Sequence, residues 1–336
     1  MGVTLALAGD TMLGRGVAAA LDTVRPESLV AREVVEVARE ADLFVLNLEC
    51  CISDRGDPWP AADKPFFFRA PPAAVGTLHH LGVSCVTLAN NHALDFGEGA
   101  LLDTRRHLEN AGIAAIGAGM DEEAARRPTV LTANGFRLGL VGVTDHPADF
   151  AASPERPGVA YADLRTGVPE WLTDTVGGLE SDAVLVTPHW GPNMARSPVA
   201  HVRRAAPVLR DAGATLIAGH SAHVFQGVET STRDDRAVAT IFDLGDFLDD
   251  YAVDPELRND LGLLWLVALD ERGVSRIEAV PLRLEHCFTR IADADEAGWI
   301  LRRFHTACGE LGTETSVRRG RLLVEPPSAP AGRATR

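Results

Sequence analysis

Asp, Glu, Asn and His recur in this chain at one kind of place, immediately after short apolar runs. Residues 3–8 lead into Gly9-Asp10, 42–46 into Asn47-Leu48-Glu49, and 83–89 into Asn90-Asn91-His92. Later runs lead into Asp145-His146, Pro188-His189-Trp190, Gly219-His220-Ser221-Ala222-His223 and Gly245-Asp246. Singly, each has an ordinary explanation, since Asp after Gly caps helices and Asn-Asn forms turns. Together they bring carboxylates, amides and imidazoles to one edge, which is costly without a cation to coordinate. Imidazole with carboxylate and amide oxygen is a ligand set for Mn, Fe or Zn at a hydrolytic site, and the lack of cysteine disfavours a structural zinc. The candidates exceed what one four-coordinate ion uses, so two divalent ions roughly 3.5–4 Å apart, bridged by a carboxylate, are expected.

The elements that must position these groups are legible as periodicity. Runs at 3–8, 42–48, 83–89, 138–144, 183–187, 214–218 and 238–244 carry β-branched residues and stop at Gly, Asn, Asp or Pro, which reads as buried strands. Stretches of helical period at 27–41, 71–81, 97–111, 163–180 and 197–212 lie between them, an α/β layered pattern with its ligand crevice past the strand ends. Runs 261–269 and 274–284 flank Asp270-Glu271-Arg272-Gly273 and read as a β-hairpin, hence a mixed or second sheet. Residues 145–160, with Pro147, Pro154 and Pro157, read as a long surface loop bordering a site. A main domain over 1–290, a helical extension packed on it over 291–325 and a disordered tail over 326–336 are expected.

Composition narrows the function. The 336 residues are 46% hydrophobic and 24% charged, as in an ordinary globular protein. An excess of 47 acidic over 32 basic residues gives a formal charge of −15, which argues against nucleic acid as a partner. Lys64 is the only lysine. Five cysteines without a C-x-x-C pattern read as free thiols in a reducing compartment. No basic n-region precedes Val3–Ala8 and no apolar run approaches about 18 residues, so no membrane span and a cytoplasmic location are expected.

Five segments carry a family resemblance. Gly9-Asp10-Thr11-Met12-Leu13-Gly14-Arg15, Asn47-Leu48-Glu49, Ala89-Asn90-Asn91-His92-Ala93-Leu94-Asp95-Phe96-Gly97, His189-Trp190-Gly191 and Gly219-His220-x-x-His223 occur in the order seen in CapA-like proteins. That poly-γ-glutamate capsule biosynthesis family belongs to the calcineurin-like metallophosphoesterase superfamily, and the resemblance covers about residues 3–250. It implies a four-layer α/β/β/α sandwich of two mixed sheets with two metals at the sheet edges. By the same resemblance, Asp10, Glu49, Asn91, His189, His220 and His223 look like metal ligands, with Glu49 as the bridge. His92, with Asp95 in the same motif, looks like the catalytic group that stabilises the transition state or protonates the leaving group.

The chain departs from the family pattern at Met12, where a histidine usually stands, at Ser221-Ala222 within the His motif, and at Asp246, where Asn is usual. Asp246 reads either as an added carboxylate or as a turn residue, and His146 as a loop residue of unassigned role. Substrate contacts are expected from Arg15, Asn47, Lys64 and Trp190, with packing as the alternative for Trp190. The resulting expectation is a metal-dependent hydrolase that cleaves a phosphoester or a γ-glutamyl-type amide of an anionic substrate. The alternative is a noncatalytic or amide-bond-forming accessory protein of poly-γ-glutamate capsule biosynthesis.

Overall fold

Alternate residues of the central strands are sorted into different cores, as a pleat of period two requires. The computed structural model describes residues 2–61 and 64–327. On the strand Gly2–Thr11, Leu5 and Leu7 enter one hydrophobic cluster while Ala6 and Ala8 enter another. On Phe136–Thr144, Leu138 and Leu140 join the first of these, and Val141 and Val143 join a third. The shared cluster therefore lies between two sheet leaves. One outer cluster is closed by Val34 of helix Arg32–Ala38, Leu78 of Val75–Leu81 and Leu101 of Gly97–Asn110. The other is closed by Leu172 of helix Glu170–Gly177 and by Val202 and Leu209 of Ala200–Ala212. The result is the expected four-layer α/β/β/α sandwich. Among the described residues, no helix is long and apolar enough to cross a membrane.

One leaf runs in the order Ala114–Ile116, Cys85–Thr87, Leu43–Leu48, Gly2–Thr11, Leu261–Asp270, Gly273–Glu285. The other runs Arg236–Ile241, Leu216–Ala218, Ala183–His189, Phe136–Thr144, Thr129–Ala133. They meet at one register pair, Ala237 with Gly273, so the two mixed sheets are continuous at a seam. Within each leaf the ligand-bearing strands are parallel, so their C-terminal ends collect on one edge.

The hairpin of Leu261–Asp270 with Gly273–Glu285 forms where the sequence places it. Two further hairpins were not anticipated. Asn134 (φ 53°) and Gly135 (φ 76°) join Thr129–Ala133 to Phe136–Thr144, and Asp234 (φ 47°) and Asp235 (φ 59°) join Val228–Arg233 to Arg236–Ile241. Both are two-residue turns with positive φ throughout, the type whose twist suits a hairpin. The helical extension expected over 291–325 is helical only across Ala294–Gly309, which opens with a capping box at Asp293 and Glu296. Beyond it, Ser316–Arg318 and Arg321–Val324 form a hairpin that adds a strand to Gly273–Glu285 and buries Leu322 and Val324 between the leaves. Of the expected disordered tail, 328–336 lie outside the described residues.

The short strand Asp246–Leu248 lies parallel to the first strand with Asp246 opposite Asp10. That approach needs Gly9, because a Cβ there would stand 1.9 Å from the Gly245 carbonyl oxygen. Gly9→Ala is therefore expected to destabilise the fold by about 1–3 kcal/mol in denaturant unfolding. Gly99→Ala, where a Cβ meets nothing within 4 Å on an exposed helical turn, should leave stability unchanged or raise it by up to about 1 kcal/mol.

Candidate metal centre

Asp10 ends the first strand with no exposure to solvent. Its Oδ1 accepts from Asn47 Nδ2 at 2.7 Å, and its Oδ2 accepts from the Ser221 backbone amide at 3.2 Å. Two buried groups of side chains share it. Asp10, His189 and His220 offer ligand atoms all within 4.8 Å of one another, and so do Asp10, His223 and Asp246. In the first group, His189 Nδ1 and His220 Nδ1 lie 2.8 Å apart. In the second, His223 Nδ1 is 2.9 Å from Asp246 Oδ1 and 3.3 Å from Asp10 Oδ2. The loop that carries His220 and His223 is strained, with Ser221 at φ 115° and His223 at φ 57°. Its amides offset the cost, since the Ser221 amide reaches Asp10 and the Ala222 amide donates to Asp243 Oδ2 at 2.8 Å.

Charge balance shows what the cluster lacks. Burial works against Asp10, yet the hydrogen bond and charge of His223 hold its carboxyl below the usual range. Burial lifts Glu49 well above that range, helped by the charge of Asp10, and burial lifts Asp246 likewise. Burial also pushes His189 well below an ordinary imidazole and His220 down to about 4, which leaves both neutral, the form that binds metals. His223 goes the other way, because Asp246, Glu49 and Asp10 outweigh its burial. Protons thus stand on groups where positive charge is missing. The buried atoms without a hydrogen-bond partner include Glu49 Oε1, Asn91 Oδ1, His189 Nε2, His220 Nε2 and Asp246 Oδ2. Unsatisfied acceptors and unmet negative charge in one place fit a divalent cation.

Beside the cluster, the Asn90–Gly97 turn builds a second constellation. His92 Nδ1 is 2.6 Å from Asp95 Oδ2, and the ring stacks on Phe68 with centroids 3.9 Å apart. Asp95 is further held by the Phe68 amide at 2.6 Å and Lys64 Nζ at 3.0 Å. With Nδ1 taken, Nε2 is what His92 offers to a cleft of about 330 Å³ that it lines with Asn91, His146 and Asn193. Burial lowers His92 to about 4, against the pull of Asp95, so the imidazole is neutral.

The structure gathers all six expected ligands at the strand-end edge but apportions them differently. Asp10 is the carboxylate common to both groups. Glu49, expected as the bridge, belongs to neither: its Oε2 accepts from the Tyr251 hydroxyl at 3.0 Å, leaving Oε1 bare. Asp246 is in the second group, a position the Gly245-Asp246-Phe247 departure had flagged without deciding. Met12 is no ligand, since its sulfur accepts from the Gly14 amide at 3.0 Å within the core.

Three of the four expected substrate contacts are otherwise engaged, and Lys64 lines the cleft already paired. Asn47 is buried, with its amide donating to Asp10 and its oxygen accepting from Asn90 at 2.8 Å, so it orients the shared carboxylate. Trp190 packs in a core and donates to the Phe242 carbonyl at 2.9 Å. Arg15 pairs with Asp250 at 3.2 Å outside the cleft lining. Asp145 and His201 were not singled out as site residues. Asp145 accepts from His146 Nδ1 and sits 2.9 Å from His201 Nε2, and the His146 ring lies 5.1 Å from that of His189.

The chain matches the family described as bacterial capsule synthesis protein PGA_cap over residues 4–251. It is 32% identical over 309 residues to a probable polyglutamine synthesis accessory protein of Mycobacterium tuberculosis, covering 86% of this chain and 78% of that one. It is 27% identical over 276 residues to the PGA biosynthesis protein CapA of Bacillus subtilis, covering 82% and 70%. Among solved structures, a putative 5′-nucleotidase from Staphylococcus aureus in complex with alpha-ketoglutarate superposes with a TM-score of 0.46 at 14% identity, over 90% of this chain and 58% of that one.

Elemental analysis of protein purified without chelator should find metal at both groups. Asp10→Asn should empty both, whereas His189→Ala and His223→Ala should each remove one ion; unchanged stoichiometry in all three would refute the assignment. Because Glu49, Asp246 and His223 all hold protons more tightly than usual, Mn²⁺ uptake near neutral pH should release protons and tighten as pH rises, measurable by calorimetry in buffers of different ionisation heat.

Proposed function

We propose, from the premise that the chain belongs to the bacterial capsule synthesis protein family PGA_cap, that it is a metal-dependent hydrolase of an anionic substrate, a phosphoester or a γ-glutamyl-type amide. The observation that carries this reading is the sharing of buried Asp10 by two ligand groups in which His189 Nε2, His220 Nε2 and Asp246 Oδ2 find no hydrogen-bond partner. Asp10, His189 and His220, and Asp10, His223 and Asp246, would hold the ions, with Glu49 and Asn91 beside them. Bound Mn, Fe or Zn would supply Lewis acidity and lower the pKa of water in the cleft.

The chain's own residues supply the rest. Asp95 fixes the His92 tautomer through Nδ1, and Phe68 holds the ring plane, so Nε2 faces the cleft as a proton acceptor. A neutral His92 takes up a proton before returning one to a leaving group, a form of the leaving-group role that the family resemblance implies beside transition-state stabilisation. Lys64 and the Phe68 amide hold Asp95 in place.

A second reading, a noncatalytic or amide-bond-forming component of capsule synthesis, is favoured by the name of the mycobacterial relative, an accessory protein. Turnover of a panel of phosphoesters and γ-glutamyl amides by Mn²⁺-loaded protein separates the two. Under the hydrolase reading, His92→Ala should lower turnover by about 10²–10⁴ with metal content and fold unchanged, and Asp95→Asn should lower it similarly. A fully loaded protein inert on the whole panel would favour the accessory role.

A further inference from the structure

Among the described residues, the lining of the cleft beside the metal centre carries no unpaired lysine or arginine. Among the described residues, Lys64 is the only cation on its lining, and Lys64 Nζ is committed to Asp95 Oδ1 at 3.0 Å and to the Asn91 carbonyl at 2.6 Å. Arg15 lies outside the lining, paired with Asp250, its guanidinium 5.1 Å from the Phe66 ring centroid. Among the described residues the one carboxylate on the lining is Asp149, which accepts from Trp59 Nε1 at 2.8 Å. What the lining does offer is rings. Trp59 packs edge-on against Phe150 with centroids 5.1 Å apart, and Phe66 stands 53% exposed at the same opening.

We infer that the substrate presents one anionic group to the metal centre and that the remainder is uncharged, with a flat aromatic face that lies against Trp59 and Phe66, Trp59 being backed by buried Phe150. The inference rests on the metal-hydrolase reading and names its substrate class. A polyanion would bring further carboxylates beside Asp149, where the described cations nearby, Lys64 and Arg15, are already paired with Asp95 and Asp250, and like charges in a partly desolvated cleft repel. An aromatic group gains instead, from apolar area removed from water and from edge-to-face contact with the walls. A cleft of about 330 Å³ holds a substrate of that size.

Calorimetry on the Mn²⁺-loaded protein tests this with phenylphosphonate, methylphosphonate and penta-γ-glutamate as probes. Phenylphosphonate should bind about 10–100-fold more tightly than methylphosphonate, the return expected for burying one ring. Phe66→Ser, at an exposed position, and Trp59→Ala should each shrink that ratio and leave methylphosphonate unaffected, and penta-γ-glutamate should bind no more tightly than glutamate. Equal affinity for the two phosphonates, or tighter binding of the pentamer, would overturn the inference. A neutral probe, benzyl alcohol, followed by saturation-transfer NMR in metal-free protein, reads the walls alone. If Mn²⁺ fails to bind, the metal reading falls, while benzyl alcohol contact that disappears in Phe66→Ser sustains the ring site and its absence in wild type rejects it.

Discussion

A carboxylate sealed from water sets the terms for everything around it. Asp10 has no solvent contact, and an ion so placed must be compensated locally or lose its charge. The compensation comes as a relay: Asn90 donates to the Asn47 oxygen and Asn47 donates to Asp10, so two amides from neighbouring strands hold one carboxylate oxygen in a fixed direction. The other oxygen meets the Ser221 amide and His223, which is why that loop tolerates two residues at positive φ. Gly9 and Gly245 serve the same end by letting two backbones touch where Asp10 must face Asp246.

The site then divides its labour by polarity. Behind Asp10 lie neutral imidazoles and unpartnered oxygens that call for a cation. In front lie rings, with the only nearby amine already spent on Asp95. Lys64 therefore acts inward: it ties the backbone of Asn91 to the carboxylate that orients His92, so one side chain registers the edge of the metal cluster against the proton-transfer group.

Much of this was legible in the sequence, for identifiable reasons. Strand ends announce themselves by the switch from apolar runs to Asp10, Asn91, His189 or His220, and parallel strands bring such ends to one edge. The alternation that builds three cores is likewise local information. The identity of the shared carboxylate was not legible, because it depends on register: the pairing of the first two strands shifts between Ala8 and Asp10, and no periodicity records that shift. Nor could the roles of Asn47, Arg15 and Lys64 be read, since each is decided by a partner far along the chain, Asp10, Asp250 and Asp95. The hairpin at Asn134-Gly135 did carry its turn signature, whereas Asp234-Asp235 is a weaker signal, and the strand Arg321–Val324 owes its place to burial of Leu322 and Val324.

The sharing of Asp10 by residues as distant as Asp246 bears on how the protein is made. Emerging from the ribosome, the chain has its first ligand exposed long before the last exists, and the leaves that align them are built from contacts of high sequence separation. A zinc finger is nucleated by its ion; a cation at this centre would instead need two leaves already aligned and joined at the Ala237–Gly273 seam. Which ion such a centre would take then depends on what the cell offers once both leaves exist, at the end of synthesis.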